Sequence, residues 1–146
     1  MQSLRKAQNP LILMIGLSDE ECLPIRTGAA DGGWRTQEAH GYREAILQLC
    51  RENAPVIVCA SKLPDGAWED ILSATATQTV RPRIIVVSRS ADERLWVDVL
   101  NSGGFDVLAS PYQEREIRRC IELACRAWWC EVRQEDWRRA AAAPVA

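Results

Sequence analysis

The sequence predicts a single α/β domain built on a five-stranded parallel sheet wound on both faces. Three observations carry this. Short apolar runs without alternation recur along the chain, as "PLILMIGL", "PVIVCA" and "RIIVVS". Such runs are the mark of strands buried on both faces. Between them lie segments with helical apolar spacing, so the order is strand–helix repeated five times, which imposes right-handed crossovers. The length of 146 residues suits one domain with a sizeable core.

In chain order, Leu11 to Leu17 form the first strand. "SDEE" follows, with Ser18 as N-cap and Glu21 at the reciprocal position of a capping box. Pro24 removes a backbone donor inside that helix, so a kink or a late start is expected. Gly32 and Gly33 end it. Trp34 to Ala39 reads as a polar strand near an edge. "GYREAILQLCREN" carries a stripe of Tyr42, Ala45, Ile46, Leu49 and Cys50. Pro55 to Ala60 is the next buried strand, and a helix from about Ala67 to Thr75 follows the turn "LPDG". Arg83 to Ser88, a helix closed by Gly103 and Gly104, and Phe105 to Ala109 complete the pattern. From Gln113 a long helix sets Ile117, Ile121, Ala124, Trp128 and Val132 on one side, and "AAAAPVA" is expected to fray. The domain proper spans 11–132, with an extension at 1–10 and a helical extension and tail at 133–146.

Composition narrows the function classes. A hydrophobic share of 47%, a charged share of 26% and a net charge of −2 give no field that draws nucleic acid or anionic lipid. The start imitates a signal peptide, but Asp19, Glu20 and Glu21 stand where small residues belong. No run reaches the roughly 20 apolar residues that span a bilayer, so a cytoplasmic protein is expected. The six cysteines fit no zinc pattern, and His40 is the single histidine, without a ligand partner nearby. Cys120, Cys125 and Cys130 step around a helix by about 140° and do not converge. Reduced thiols packed as small hydrophobes are the expectation, with neither metal nor cofactor.

A site in such a sheet lies beyond the carboxyl ends of the strands, where the winding reverses. The loops there begin at Gly16, Ala60, Ser88 and Ser110. At this point the chain resembles the receiver domains of response regulators (CheY-like), from Leu11 to about Trp129. The likeness rests on "PLILMIGLSDEE", "PVIVCASKLPDG", "RIIVVSRSADE" and "GGFDVLASPY" and on the spacing among them. The resemblance implies the flavodoxin-like receiver fold and a cis bond before Pro111.

The same resemblance implies a phosphoacceptor pocket whose chemistry needs carboxylates around Mg²⁺, an acceptor aspartate and a lysine, because phosphoryl transfer depends on positioning and charge neutralisation. The acidic pair falls on Gly16 and Leu17, the acceptor on Ala60, the lysine on Ser110 and the inward-turning aromatic on Val107. Only the switch hydroxyl is kept, as Ser88. Asp19 and Glu20 as shifted ligands, Asp65 or Ser61 as substitute acceptors, and Lys62 as a fixed charge in the vacated pocket all have simpler readings: a capping role, a turn and a solvated loop.

The expectation is therefore a stand-alone, phosphorylation-independent pseudo-receiver of two-component signalling, not an enzyme, that acts on a protein partner or as a homodimer. The resemblance places the contact on the helix 4–strand 5–helix 5 face, with Trp96 and Leu100 outward and Val107 beside them. It turns Val97 and Ser102–Gly103 toward the sheet. Trp129 and Trp137, late on the last helix, either wrap back or meet a partner. Two alternatives from other classes stand beside this reading: a small flavodoxin-like ligand-binding or enzyme domain, and a receiver-fold thiol sensor using Cys59. The first meets three acids at "GLSDEE", where a phosphate cradle would need neutral donors.

Overall fold

The computed structural model describes residues 9–90 and 92–144. Strands β1 (Leu11–Ile15), β2 (Arg35–Ala39), β3 (Val56–Ala60), β4 (Arg83–Ser88) and β5 (Asp106–Ala109) form one sheet in the order β2-β1-β3-β4-β5. Every pairing is parallel. Helices α1 (Asp19–Gly32), α2 (Tyr42–Arg51), α3 (Trp68–Thr75), α4 (Glu93–Asn101) and α5 (Glu114–Ala142) connect the strands or follow the last one.

Two apolar layers result. On one face Leu11, Leu13, Ile15, Ile57, Cys59, Ile84 and Val86 pack under α2, α3 and α4. On the other, Ile12, Met14, Val56, Val58, Ile85 and Val87 pack under α1 and α5. The alternation absent from the sequence is thus present in space, with both faces covered. Only β2 shows a polar strand's pattern: Arg35, Gln37 and Glu38 are exposed while Ala39 is buried, as an edge position allows.

Helix α1 opens on the predicted capping box. Ser18 Oγ accepts from the Glu21 N–H at 3.2 Å, and Glu21 Oε1 accepts from the Ser18 N–H at 2.9 Å. The helix runs through Pro24 from Asp19, so the late start does not occur: the cap fixes the first turn ahead of the proline. It ends at Gly33, whose φ of 75° is left-handed. Trp34 is not a strand residue. It is buried under α1, where a Cβ on Gly32 would fall 1.8 Å from its ring.

Other boundaries move by one or two residues, and β1 ends at Ile15, short of Leu17. Pro55 and Phe105 precede their strands, and α3 starts at Trp68. Cys50 is exposed, so the α2 stripe is narrower than its sequence indicates. Trp128 and Val132 are only half-buried, because α5 has reached the end of the sheet there. The tail does not fray at its start: Ala140–Ala142 continue α5, which passes residue 132 without a break. Residues 1–8, which hold most of the N-terminal extension, lie outside the described residues. Among the described residues no helix is long and apolar enough to cross a membrane.

Candidate functional site

The carboxyl ends of β1, β3, β4 and β5 converge as the parallel topology requires, and they bring Gly16, Ala60, Ser88 and Ser110 to one edge. Gly16 has a φ of 69°, a conformation that favours glycine, and its N–H donates to the Ala39 carbonyl at 2.8 Å. Leu17 turns to the other side, against the layer under α1 and α5. Ala60 ends β3 and is half-buried.

The loop after β3 is a feature that sequence reasoning missed. Lys62–Leu63 and Gly66–Ala67 pair as a small antiparallel hairpin around Pro64 and Asp65. Alternation across those two short strands sends Lys62 to solvent and Leu63 inward. Leu63 is buried, and its Cδ2 lies where a side chain on Gly16 would have to go, 2.5 Å from an ideal Cβ. Ala60 Cβ is 3.5 Å from the same point. An aliphatic group therefore fills the space between the ends of β1 and β3. The signal for this was present in "SKLPDGA", a turn flanked by residues of alternating polarity.

Asp65 serves structure at a distance. Its carboxylate accepts from the Tyr42 N–H at 2.7 Å and the Arg43 N–H at 3.1 Å. It caps α2 from another loop, because the N-cap position itself is Gly41, which has no side chain. Gly41 leaves the room: a Cβ there would be 2.4 Å from Asp65 Oδ1. The hydrogen bonds from Arg43 and Tyr42 hold the Asp65 carboxyl below its ordinary value.

Ser110 is buried, and its backbone N–H donates to the Ser88 carbonyl at 3.0 Å. Its hydroxyl lies near the Glu21 carboxylate. Burial pulls the Glu21 carboxyl up, but hydrogen bonds from Ser18 and Ser110, with the nearby Arg89 charge, outweigh it and leave the carboxyl below its ordinary value. Tyr112 donates its hydroxyl to the Glu21 carbonyl. Ser88 Oγ accepts from the Ser90 N–H at 3.1 Å. The Ser110–Pro111 peptide is cis. Ser18, Ser110, Pro111 and Tyr112 border a cleft of about 260 Å³ between α1 and the β5 loop, with Glu20, Glu21 and Arg89 at its walls.

Chemically, Gly16, Leu17, Ala60, Ser88 and Ser110 supply hydroxyls and aliphatic groups only. The divalent ion implied by the resemblance has no carboxylate ligand set here: Gly16, Leu17 and Ala60 at the β1 and β3 ends carry no oxygen-bearing side chain, and Leu63 fills the gap between them. Among the described residues no group of three or more His, Cys, Asp or Glu is placed to hold a metal ion. Cys59 is fully buried in the layer under α2–α4, and burial pushes its thiol up to about 12. A thiol so raised has almost no thiolate at neutral pH.

On α4, Trp96 is 49% exposed and Leu100 half-buried, while Val99 and Leu95 pack on the sheet. Val107 is half-buried and packs on the same layer as Leu95. Val97 does not face the sheet. It is 45% exposed, and Ser102 and Gly103 are exposed as well. The helix is rotated so that Val99 fills the inner position, which leaves Trp96 and Val97 together on the outside. Trp129 is half-buried against Trp128, with ring centroids 5.3 Å apart and planes at 57°.

No family model matches the sequence, and no curated protein is similar to it at a significant level. Solved structures are similar. A signal receiver domain from Vibrio parahaemolyticus aligns with a TM-score of 0.79 at 20% identity, covering 87% of this chain and 98% of that one. The Francisella response regulator 1452 receiver domain gives 0.71 at 22% identity, covering 82% and 98%. The chemotaxis response regulator CheY4 of Vibrio cholerae gives 0.70 at 14% identity, covering 80% and 98%. The fold is that of receiver domains, over most of this chain and nearly all of theirs.

Proposed function

We propose that this chain is a phosphorylation-independent receiver module of two-component signalling, a non-enzymatic cytoplasmic protein that acts by contact with another protein. One observation carries the reading: Leu63, not a carboxylate, occupies the space between Gly16 and Ala60. Acyl-phosphate chemistry needs an acceptor oxygen, a metal and a cation within reach of one another. At these strand ends the corresponding groups are Ala60, Gly16 with Leu17, and Ser110.

Contact is then the means by which the domain has an effect, and the α4–β5–α5 face is the surface assigned to it. Trp96 and Val97 stand out from α4, and an exposed tryptophan with aliphatic neighbours has the composition of a binding hot spot. The test uses acetyl phosphate and Mg²⁺ with the intact protein, read by mass spectrometry and tryptophan fluorescence. No phosphoryl adduct and no magnesium-dependent fluorescence change are expected. An adduct on any carboxylate refutes phosphorylation independence.

A further inference from the structure

Helix α5 carries a second, largely apolar seam, about a third of a turn round from the one that packs on the sheet. Ile117, Ile121 and Ala124 face inward and are fully buried. At 100° per residue, Leu123, Ala127, Cys130, Gln134, Trp137 and Ala141 form one stripe, centred about 130° round the helix from that inward line. Their steps alternate between four and three residues, the heptad spacing that two paired helices share. Leu123 is 46% exposed and Trp137 73% exposed, so the chain itself covers neither.

The order of sizes along the seam selects the occupant. Large Leu123 and Trp137 sit near the ends, and small Ala127 and Ala141 are offset from them in the same direction. A parallel copy in register stacks Trp137 on Trp137 and Ala127 on Ala127, one layer overfilled and one empty. An antiparallel copy centred near Val132 does the opposite at every layer. It sets Leu123 against Ala141, Ala127 against Trp137, and Cys130 against Gln134. Matching large to small across facing positions is what a packed helix interface requires. Both glutamates beside the seam are paired within the chain, Glu131 with Arg83 at 3.0 Å and Glu135 at 3.8 Å from both Arg138 and Arg139. We propose that a second copy of this chain packs antiparallel along α5 in this register. The pairing is separate from the α4 contact described above, since Trp96 takes no part in it.

Sedimentation velocity of the full chain across a dilution series tests the association. A dimer that dissociates on dilution is expected, as suits an interface of modest area. Trp137→Ala should weaken it by about tenfold or more, while Trp96→Ala leaves it unchanged. Register is read by disulfide capture in a Cys50→Ser, Cys130→Ser background. Leu123→Cys with Ala141→Cys should cross-link two copies under mild oxidation, because within one helix those positions are about 27 Å apart. A chain that stays monomeric at every concentration overturns the proposal. So does a dimer indifferent to Trp137→Ala, or one in which the 123–141 pair does not cross-link. Loss of response to Trp96→Ala in partner binding, with this dimer intact, bears on the α4 contact alone.

Discussion

Leu63→Ala tests whether the space between β1 and β3 is truly filled. Leu63 keeps 9% exposure, and its Cδ2 sits over Gly16. The substitution removes three buried carbons, a transfer loss of about 2.4 kcal/mol at about 0.8 kcal/mol per methylene. A dry cavity takes core Leu→Ala changes toward about 5 kcal/mol. Here the gap opens on an exposed hairpin, so water enters and the cavity contribution stays small. The net cost is about 2–3 kcal/mol. With an m-value of about 2 kcal/mol/M, the urea midpoint falls by about 1–1.5 M. Added Mg²⁺ leaves the midpoint of both proteins unchanged, because the widened gap still has no carboxylate ligands. A cost below about 0.5 kcal/mol, the level of an ordinary surface change, refutes the packing argument. A midpoint that rises with Mg²⁺ refutes the ligand argument separately.

Ala60→Asp alone should not restore magnesium-dependent reaction with acetyl phosphate, since Gly16 and Leu17 offer no second ligand; it should also lower stability by about 1 kcal/mol or more by setting a carboxylate beside Leu63. Asp65→Asn should lower the urea midpoint at pH 7 and flatten the acid limb of stability. The Asp65 carboxyl is held below its ordinary value in the folded chain. Its contribution is complete above the ordinary carboxylate range of about 4 and is lost as pH falls through the lowered value. Gly32→Ala should cost about 1–3 kcal/mol, an overpacking penalty, because the new methyl meets the Trp34 ring; thermal unfolding measures it. A thiol reagent at neutral pH should label the exposed Cys50 and Cys130 quickly. Cys22 and Cys59, both pushed up to about 12 by burial, should react only after unfolding.

The sheet was legible because burial on both faces writes itself as uninterrupted apolar runs, and β1, β3 and β4 are such runs. The capping box at Ser18 and Glu21 was legible because its chemistry is local, four residues long and reciprocal. What escaped reading was non-local. Nothing near Asp65 in sequence indicates that it caps a helix starting at Tyr42, since the pairing depends on how two loops meet after the sheet forms. The rotation of α4 was equally hidden. Leu95, Trp96, Val97, Val99 and Leu100 are all apolar, so periodicity does not choose among faces, and only the fit of Val99 against the sheet decides. Trp34 escaped for a related reason: its flat ring needs glycines at 28 and 32 to lie under α1, a match across one turn of chain that strand propensity does not express.

The hairpin after β3 suggests why the strand ends tolerate aliphatic residues so well. A cluster of carboxylates in that position repels itself and needs a bound cation to hold its geometry. Here one short segment supplies two contacts that need no ion. Leu63 turns inward and joins the layer under α2–α4, while Asp65, two residues on, turns outward and satisfies the first donors of α2. Both contacts issue from the one turn at Pro64, which lies between the paired segments Lys62–Leu63 and Gly66–Ala67. Gly16 and Gly41 complete the arrangement, the first by clearing space for Leu63 and the second by clearing space for Asp65. The consequence is measurable: Gly41→Ala, which pushes Asp65 off α2, should loosen Leu63 as well. Hydrogen exchange at the amides of Tyr42 and Gly16 should then accelerate together, and acceleration at Tyr42 alone would show that the two contacts are independent.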